Sequence, residues 1–342
     1  MAHTTVATGA TLIKNVVSEK LWREAIKESY FSRFTSDDGS SIIHRKRDLA
    51  KGTGEKITFG IRMRLTGAGV GEGQVLEGNE EALTIYDSSV TLEEKWHAVR
   101  DRGEMDRQRA AWDIDEDSKA ALKDWATEYI DSYLFSKLLA SPTKIIYRDT
   151  SAGAISGTTS AATAKTGMSA TNSVITLNLI SAVKAWARTG GNRTVNPLLP
   201  VKVDGKDYYV LLVSPNVMYS LKTNSDFQTA MREAQNRGAD NPLFQDATAI
   251  WDNVVIHEHE NIAEYSDGGG GSVRYAPCLF LGKQALCYAV GNNIEVRSKK
   301  FDYDRQHGYA WGVIHGAAKP VFNSKDYGSI GVYIACSNVT GL

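Results

Sequence analysis

The stretch MDRQRAAWDIDEDSKAALKDWATEYIDSYLFSKLLA, residues 105–140, predicts one long amphipathic helix around which the chain is organised. Apolar side chains recur in it at three- and four-residue steps, which places them on one helical face. The apolar face consists of Leu122, Trp125, Ala126, Tyr129, Tyr133 and Leu138. The polar face consists of Lys119, Lys123, Asp124, Glu128, Asp131 and Lys137. At about 1.5 Å per residue, the ~25 most regular residues form a rod of ~37 Å, which is long for a globular domain.

Both ends of this helix carry recognisable signals. Pro142 stops it, because proline lacks an amide donor and its ring blocks continuation. The helix dipole favours negative charge in the first turn, which explains a run of acids there without acid–base chemistry. Those acids are Asp113, Asp115, Glu116 and Asp117.

A glycine-rich hairpin precedes the helix. Residues Lys56–Leu65 alternate apolar with polar or small side chains, which is typical of a strand with one solvent-facing side. Five glycines fall within Gly67–Gly78, and the chain returns as extended structure over Leu83–Val99. The glycines lack the spacing and the lysine of a phosphate-binding loop. Acids that would repel phosphate follow them, namely Glu72, Glu77, Glu80 and Glu81. We therefore predict an extended hairpin with a mobile tip.

The N-terminal segment is apolar enough to need a covering surface. About 11 small or polar residues precede Thr11–Phe34, which predicts a helix with an imperfect apolar period. Tyr30, Phe31 and Phe34 crowd its end with aromatic rings. Such a helix lies either on its own domain or on a neighbouring subunit.

The remainder of the chain alternates between shorter helices and strands. Residues 141–172 are rich in Ser, Thr, Ala and Gly and predict an exposed connector with little core. The predicted helices are Thr176–Ala187, ended by Gly190–Gly191, a helix capped by Ser214 and running to Leu221, and Asp226–Asn236. The predicted strands are Asp207–Val213, Ile250–Ile262, Val273–Val290 and Ile330–Cys336, with a turn at Gly268–Gly271 and a long hairpin over Ile294–Val313 whose tip lies near Asp302–Gln306.

Composition excludes several classes of protein. The 342 residues carry 40 acids and 39 bases, so the net charge of -1 creates no global field for nucleic acid or membranes. The N-terminus lacks the apolar run of a signal peptide, and the most apolar stretch, Tyr208–Leu221, is too short to cross a bilayer. The basic segment SIIHRKR at 41–47 is more typical of a solvated face than of nucleic-acid contact. Three cysteines without metal-type spacing predict buried, inert thiols in a reducing compartment, and these are Cys278, Cys287 and Cys336.

The sequence indicates no active site. His257 and His259 share one face of a predicted strand, but no third metal ligand is identifiable and the spacing differs from HExxH on a helix. No Gly-x-Ser-x-Gly motif occurs, and no cysteine has a histidine partner nearby in the sequence. We therefore assign no catalytic, cofactor-binding or metal-ligating residue. A metal-dependent enzyme built on His257 and His259 is a distant alternative.

Segments of the hairpin resemble a known family. They are GEKITF at 54–59, RMRLTGAGV at 62–70 and LEGNEEAL at 76–83, and DYG at 326–328 fits the same pattern. Together with the order of elements over residues 12–340, they resemble the major capsid proteins of tailed bacteriophages, in particular a podovirus-type capsid family. The resemblance implies an α+β chain with the tailed-phage major capsid fold, called the Johnson fold. Residues 141–172 and 268–271 fit no family pattern and look like local insertions.

The resemblance also implies how the chain is divided. The implied parts are an N-terminal arm (1–51), an extended loop (52–92), a peripheral domain (93–171) with its spine helix at 105–140, an axial domain (172–285), a peripheral loop hairpin (286–317) and a C-terminal return to the axial domain (318–342). The extended loop would reach over a neighbouring subunit. The axial domains would meet around capsomer axes, and the peripheral loops would meet near threefold junctions.

Function and partners follow from the same resemblance. Subunits would assemble in the host cytoplasm into hexamers and pentamers of an icosahedral head around double-stranded DNA, as part of the virion. The implied partners are further copies of the chain, a separate scaffolding protein, a portal protein, an optional cement protein and DNA contacted non-specifically, with no membrane. A shell protein of a cellular nanocompartment with the same fold is the main alternative. The side chains expected at intersubunit contacts are Trp22, Tyr30, Phe34, Arg62, Arg64, Glu77, Glu80 and Glu81.

The N-terminus bears on how assembly is directed. Apolar helix positions begin at Leu12, and no long charged helical region precedes them. We therefore expect no sizeable internal scaffold and no large trimming of this chain in mature particles. The N-terminal helix would remain on the shell as an interaction arm.

Overall fold

The computed structural model describes residues 29–47, 54–62, 65, 67–83, 85–110, 113–150, 154–193, 197–203, 205–233 and 249–336. The predicted N-terminal helix lies outside the described residues except at its end, which forms a 3-10 helix at Tyr30–Phe34. The described chain mixes helices and strands, so the predicted α+β class is confirmed. Its α-helices are α1 (Glu104–Arg109), α2 (Ile114–Leu139), α3 (Ala161–Thr166), α4 (Leu177–Arg193), α5 (Pro215–Lys222) and α6 (Ser225–Glu233).

The strands form two large sheets and two small ones. In chain order they are β1 (Thr35–Ser36), β2 (Ile43–Lys46), β3 (Lys56–Arg62), β4 (Ile85–Thr91), β5 (Glu93–Arg100), β6 (Ile145–Arg148), β7 (Ile155–Thr158), β8 (Val201–Val203), β9 (Lys206–Val213), β10 (Ala249–Trp251), β11 (Val254–Glu258), β12 (Tyr265–Gly268), β13 (Val273–Leu281), β14 (Leu286–Phe301), β15 (Gln306–Ala318), β16 (Val321–Phe322), β17 (Lys325–Asp326) and β18 (Ser329–Ala335).

The first large sheet joins the late hairpin to earlier parts of the chain. Its order is β1-β2-β14-β15-β5, with β14 and β15 antiparallel along their length. β2 adds to β14 in parallel, and β5 adds to β15 antiparallel. Asp302, Tyr303 and Asp304 form the turn between β14 and β15, each with a left-handed φ between 50° and 67°. The predicted late hairpin and its tip are confirmed.

The second large sheet has the order β10-β11-β9-β13-β18-β6-β7, with β8 attached to β9 and β12 to β13. Its central strands β9, β13 and β18 are the predicted apolar runs, and they are buried. The predicted connector at 141–172 is wrong, because β6 pairs in parallel with β18 and buries Ile145 and Ile146 completely. Those apolar residues gain their burial from a strand near the other end of the chain, which local composition does not reveal.

The long helix is confirmed as α2, but it is shorter than predicted. The chain at 105–140 forms α1 and then α2, because Ala110 is extended and Asp113 caps a new helix by accepting a hydrogen bond from the Asp115 amide at 2.9 Å. We call α2 the spine helix, and its 26 residues span ~39 Å. Its buried residues are Leu122, Ala126, Ile130, Asp131, Leu134, Phe135 and Leu138, whereas Trp125, Tyr129 and Tyr133 are half-buried. The predicted end of the next long helix at Gly190–Gly191 is also wrong, because α4 continues through both glycines to Arg193.

Asp131 departs most from the predicted polar face. Its buried carboxylate accepts hydrogen bonds from the Ser29 hydroxyl at 2.6 Å and from the Tyr30 amide at 2.9 Å. The Phe31 amide donates to it at 3.4 Å, and the Phe31 ring packs 4.6 Å from that of Phe135. A carboxylate predicted to face solvent thus fastens the beginning of the described chain to the middle of the spine helix.

The remaining whole-chain predictions concern cysteines and membranes. Cys278, Cys287 and Cys336 are free and buried, as predicted. Burial raises the pKa of each thiol, that of Cys287 to about 12, which keeps the reactive thiolate scarce at neutral pH.

Among the described helices, none combines the length and the apolarity needed to span a bilayer.

Replacing Asp131 tests this fastening. Asp131→Ala leaves a hydroxyl and two amides near the core without their acceptor, so we expect the free energy of unfolding to fall by about 1–3 kcal/mol. Chemical denaturation of the free subunit measures it. Asp124→Ala, on the exposed side of the same helix, is the control and should change stability by less than about 0.5 kcal/mol. Equal losses in the two variants would contradict the fastening role.

Candidate assembly surfaces

The glycine-rich hairpin projects from the subunit. β3 and β4 pair antiparallel from Lys56–Thr91 to Arg62–Ile85, which confirms the predicted hairpin. Residues 67–83, here called the tip, fold into two turns held by local hydrogen bonds. The Gly67 amide donates to the Glu81 carboxylate at 2.6 Å and so joins the two sides of the tip.

The tip buries almost nothing within its own subunit. Val75 is 68% exposed and Leu76 is 62% exposed. Other large apolar side chains exposed on the tip or next to it are Leu65, Leu83, Ile85 and Tyr86. Exposed apolar side chains gathered on one segment mark a surface that another molecule covers.

The tip is also acidic. Residues 65–83 contain four glutamates and no lysine or arginine, which gives a charge of -4. Glu77, Glu80 and Glu81 are exposed, as an intersubunit role requires. Glu80 and Glu81 also accept hydrogen bonds from tip amides, so part of their capacity is used within the tip. Arg62 lies on β3, and Arg64 lies outside the described residues.

The aromatic side chains expected at a neighbouring subunit lie mostly inside their own. Phe34 is 3% exposed and contacts the His257 ring at 5.4 Å. Its expected intersubunit contact is therefore wrong, since the core of its own chain covers it. Tyr30 is half-buried and stacks on Phe135 of the spine helix, with 6.0 Å between ring centroids. Trp22 lies outside the described residues.

The base of the hairpin is buried against the five-stranded sheet. Ile57 and Phe59 from β3 and Val90 from β4 pack on Cys287 and Ala289 of β14. The Leu92 amide donates to the Glu55 carbonyl at 2.9 Å and closes the base. The hairpin is thus anchored at one end and exposed at the other.

The far end of the same sheet carries a cationic and aromatic face. The Phe301 ring lies over Gly308, and Arg100 and Lys299 lie over that ring at 4.3 Å and 5.1 Å. Arg297 lies over Trp96 at 4.7 Å and pairs with Glu295. Within the described chain, no acidic side chain pairs with Arg100 or Lys299. We call Arg100, Lys299 and Phe301 the basic face.

The histidine pair of β11 and its extension belongs to the core. His257 is fully buried, and the His259 ring lies 4.3 Å from Tyr30 and 4.5 Å from Phe135. His259 accepts a hydrogen bond from the Asn261 amide at 3.1 Å, and burial lowers its pKa. Aromatic rings, not further ligands, surround both histidines among the described residues.

One group in the described chain does have metal-ligand spacing, and the sequence analysis missed it. Asp101, Asp115 and His307 bring three ligand atoms within 4.8 Å. Arg107 already supplies the positive charge, since its Nε lies 2.9 Å from the Asp101 carboxylate. His307 Nδ1 lies 3.0 Å from the Asp115 carboxylate, so the group ties β5 and β15 to the spine helix. The pairing of β5 with β15 assembles the group, which no local motif indicates.

A buried histidine also lies between the sheet and the spine helix. His315 Nε2 is 3.2 Å from the Tyr129 hydroxyl, and Nδ1 is 3.3 Å from the Tyr288 hydroxyl. Burial, and to a lesser extent the charge of Lys137, lowers its pKa to about 4. His315 is therefore neutral at neutral pH and bridges two tyrosines of the core.

An anchored hairpin with an uncovered acidic tip, on a subunit with two large sheets, is typical of a structural protein that another molecule covers. The family model described as phage capsid protein matches residues 5–338, and the chain belongs to that family. It is a major capsid protein of a tailed phage, a virion component that assembles with itself into a shell.

Individual relatives agree over nearly the whole chain. The major capsid protein of Pseudomonas phage KPP25 is 28% identical over 94% of this chain and 95% of its own length. The capsid of Ralstonia phage GP4 superposes with a TM-score of 0.81 and 26% identity, covering 92% of this chain and 93% of that one. The capsid of cyanophage Pam1 shares the fold at a TM-score of 0.70 and 21% identity, covering 91% and 93%. The predicted capsid fold and function are confirmed, and these relatives are phage capsids, not nanocompartment shells or enzymes.

The buried His315 predicts a pH dependence of stability. Its pKa is about 4 when folded and about 6.5 when unfolded, so between these values only the unfolded chain binds the proton. Stability should therefore fall as pH decreases through this range. His315→Gln, which retains a donor and an acceptor, should remove about 2–3 kcal/mol of that loss. Free energies of unfolding of both proteins at about pH 7.5 and 4.5 measure it. The same pH-dependent loss in both would contradict the assignment.

Proposed function

We propose that this chain builds hexamers and pentamers of an icosahedral head around double-stranded DNA, and that the hairpin is the extended loop that joins neighbouring subunits. The observation that carries the proposal is the exposure of the tip, whose apolar side chains have no cover in their own subunit. Membership of the phage capsid family supports assembly into a shell. The buried base supports the role of the hairpin, because it holds one end of the hairpin on its own subunit.

The charge of the tip supports a particular kind of receiving surface. Its four glutamates give it a negative charge, which favours a cationic partner. The basic face of a neighbouring copy offers Arg100 and Lys299, neither of which pairs with an acid of its own described chain. We propose that the tip of one subunit lies on or beside the basic face of the next. Arg62 and Arg64, at the end of β3 and beyond it, would serve the same contact.

The other proposed partners come from the family resemblance. They are a separate scaffolding protein, a portal protein, an optional cement protein and the packaged DNA, which the shell would contact non-specifically. Assembly would take place in the host cytoplasm.

The role is structural, with no catalytic step, because the clusters of titratable side chains described above are paired within the core or across elements.

The proposed parts follow the implied division of the chain. The arm is 1–51, the extended loop is 52–92 and the peripheral domain is 93–171. The axial domain is 172–285, the peripheral loop is 286–317 and the C-terminal return is 318–342. The five-stranded sheet with the spine helix supports the peripheral part, and the nine-stranded sheet supports the axial part, although β6 and β7 from 93–171 pair in the nine-stranded sheet.

Removing the tip tests the proposed function. Deletion of Gly67–Gly78 removes no buried residue, so the free subunit should keep its fold and melting temperature while shells no longer form. Electron microscopy and sedimentation of the expressed protein measure the outcome. Gly71→Ala is a matched control in the same segment, because no atom lies within 4 Å of the added methyl position. Normal shells from the deletion variant would contradict the role of the tip.

A further inference from the structure

The five-stranded sheet carries side chains of very different size on its two faces where the hairpin crosses it. Side chains on the face toward the spine helix are large, and they are Tyr288, Val290, Trp311, Val313 and His315. Residues on the face toward the hairpin are mostly small, and they are Cys287, Ala289, Gly291, Gly316 and Ala318, with the larger Ile314 beside Gly291. We call these five the small-residue seat. The two sets alternate along β14 and β15, as neighbouring residues of a strand must.

The seat has no room for larger side chains. A Cβ added to Gly316 would lie 2.2 Å from the carbonyl oxygen of Thr91, which is a backbone atom of β4. A Cβ added to Gly291 would lie 2.5 Å from the Leu92 side chain. Neither separation is compatible with van der Waals contact. The strand β4 therefore comes as close to the sheet as it does because these positions lack side chains.

The hairpin fits the seat through large side chains. Ile57, Phe59 and Val90 are each at most 3% exposed. Lys46 of β2 lies 4.9 Å from the Phe59 ring centre and donates to the Thr58 carbonyl at 3.2 Å, which holds the ring from the side. These contacts hold the base against three strands, β2, β14 and β15.

A second contact lies further along the hairpin. The Tyr86 ring of β4 packs edge-on against Phe322 of β16, with 4.8 Å between centroids. Beyond this point, the described part of the hairpin exposes Leu65, Val75, Leu76 and Leu83. The orientation of the hairpin is therefore decided at its base, before the tip begins.

We propose that the small-residue seat sets the direction in which the hairpin leaves the subunit, and that Gly316 is a positioning residue for shell assembly. The assembly part of this inference rests on the proposed function, in which the tip contacts a neighbour. About 15 residues separate the seat from the middle of the tip, a reach of up to ~50 Å. A displacement of ~1 Å across a base ~7 Å long tilts the hairpin by ~8° and moves the tip by ~7 Å. One methyl group added at the seat would therefore move the tip further than a contact between subunits tolerates.

A distance measurement on the free subunit tests the direction. Spin labels at Gln74→Cys in the tip and Asp124→Cys on the exposed side of the spine helix report how the hairpin points. The three native thiols are buried and do not compete for the label. We expect Gly316→Ala to shift the mean distance by about 5 Å or more, to lower the melting temperature because the site is overpacked, and to give few or aberrant shells.

Gly60→Ala is the matched control. It adds the same methyl group to a strand of the same hairpin, but no atom lies within 4 Å of the added position. Its distance distribution and its shells should match those of the wild type. If Gly316→Ala fails to fold, Ala318→Val enlarges the rim of the seat and is measured in the same way.

The outcomes separate this inference from the proposed function. An unchanged tip distance in the seat variants would overturn the inference, even if deletion of the tip abolishes shells. A shifted distance with shells of normal size and yield would overturn the part that concerns assembly. Because the distance is measured without shells, it stays decisive for the seat even if the tip proves dispensable.

Discussion

The five-stranded sheet has to pack against two partners at once, the spine helix on one face and the base of the hairpin on the other. Tyr288, Trp311 and His315 fill the space toward the helix. Toward the hairpin, glycine and alanine let the backbone of β4 approach within contact distance. A close-packed interior transmits the displacement of one element to its neighbours, so the positions of helix, sheet and hairpin are coupled. This coupling also determines where the exposed tip lies relative to the rest of the subunit.

Much of this architecture could be predicted from sequence because it is local. The alternation of Lys56–Leu65 and the periodicity of the long helix indicated the hairpin and the spine helix directly. The misjudged residues depend on distant partners. Asp131 is buried because Ser29 and Tyr30 approach it, and Ile145 is buried because β18 pairs with β6. Neither partner can be identified from the neighbouring sequence.

The residues expected at intersubunit contacts also divide into those that local sequence predicts correctly and those that depend on distant parts of the chain. Glu77, Glu80 and Glu81 of the tip were expected at an intersubunit contact, and they are exposed. Phe34 was expected at a neighbouring subunit and lies in its own core, since the local sequence does not show which surface covers an apolar residue. The seat did leave a signal, in the alternating small residues Cys287, Ala289 and Gly291 followed by Gly316 and Ala318. Its meaning emerged only when β4 was seen to cross that face.

The central claim is that the subunit fixes the base of the hairpin and leaves its tip for another subunit to cover. Amide hydrogen exchange, measured on free subunits and on assembled shells, tests it most directly. The account predicts strong protection of Ile57–Phe59 and Val90 in both states. It predicts fast exchange of residues 67–83 in the free subunit and protection of the same residues in shells. A tip that is already protected in the free subunit, or that stays unprotected in shells, would contradict the account.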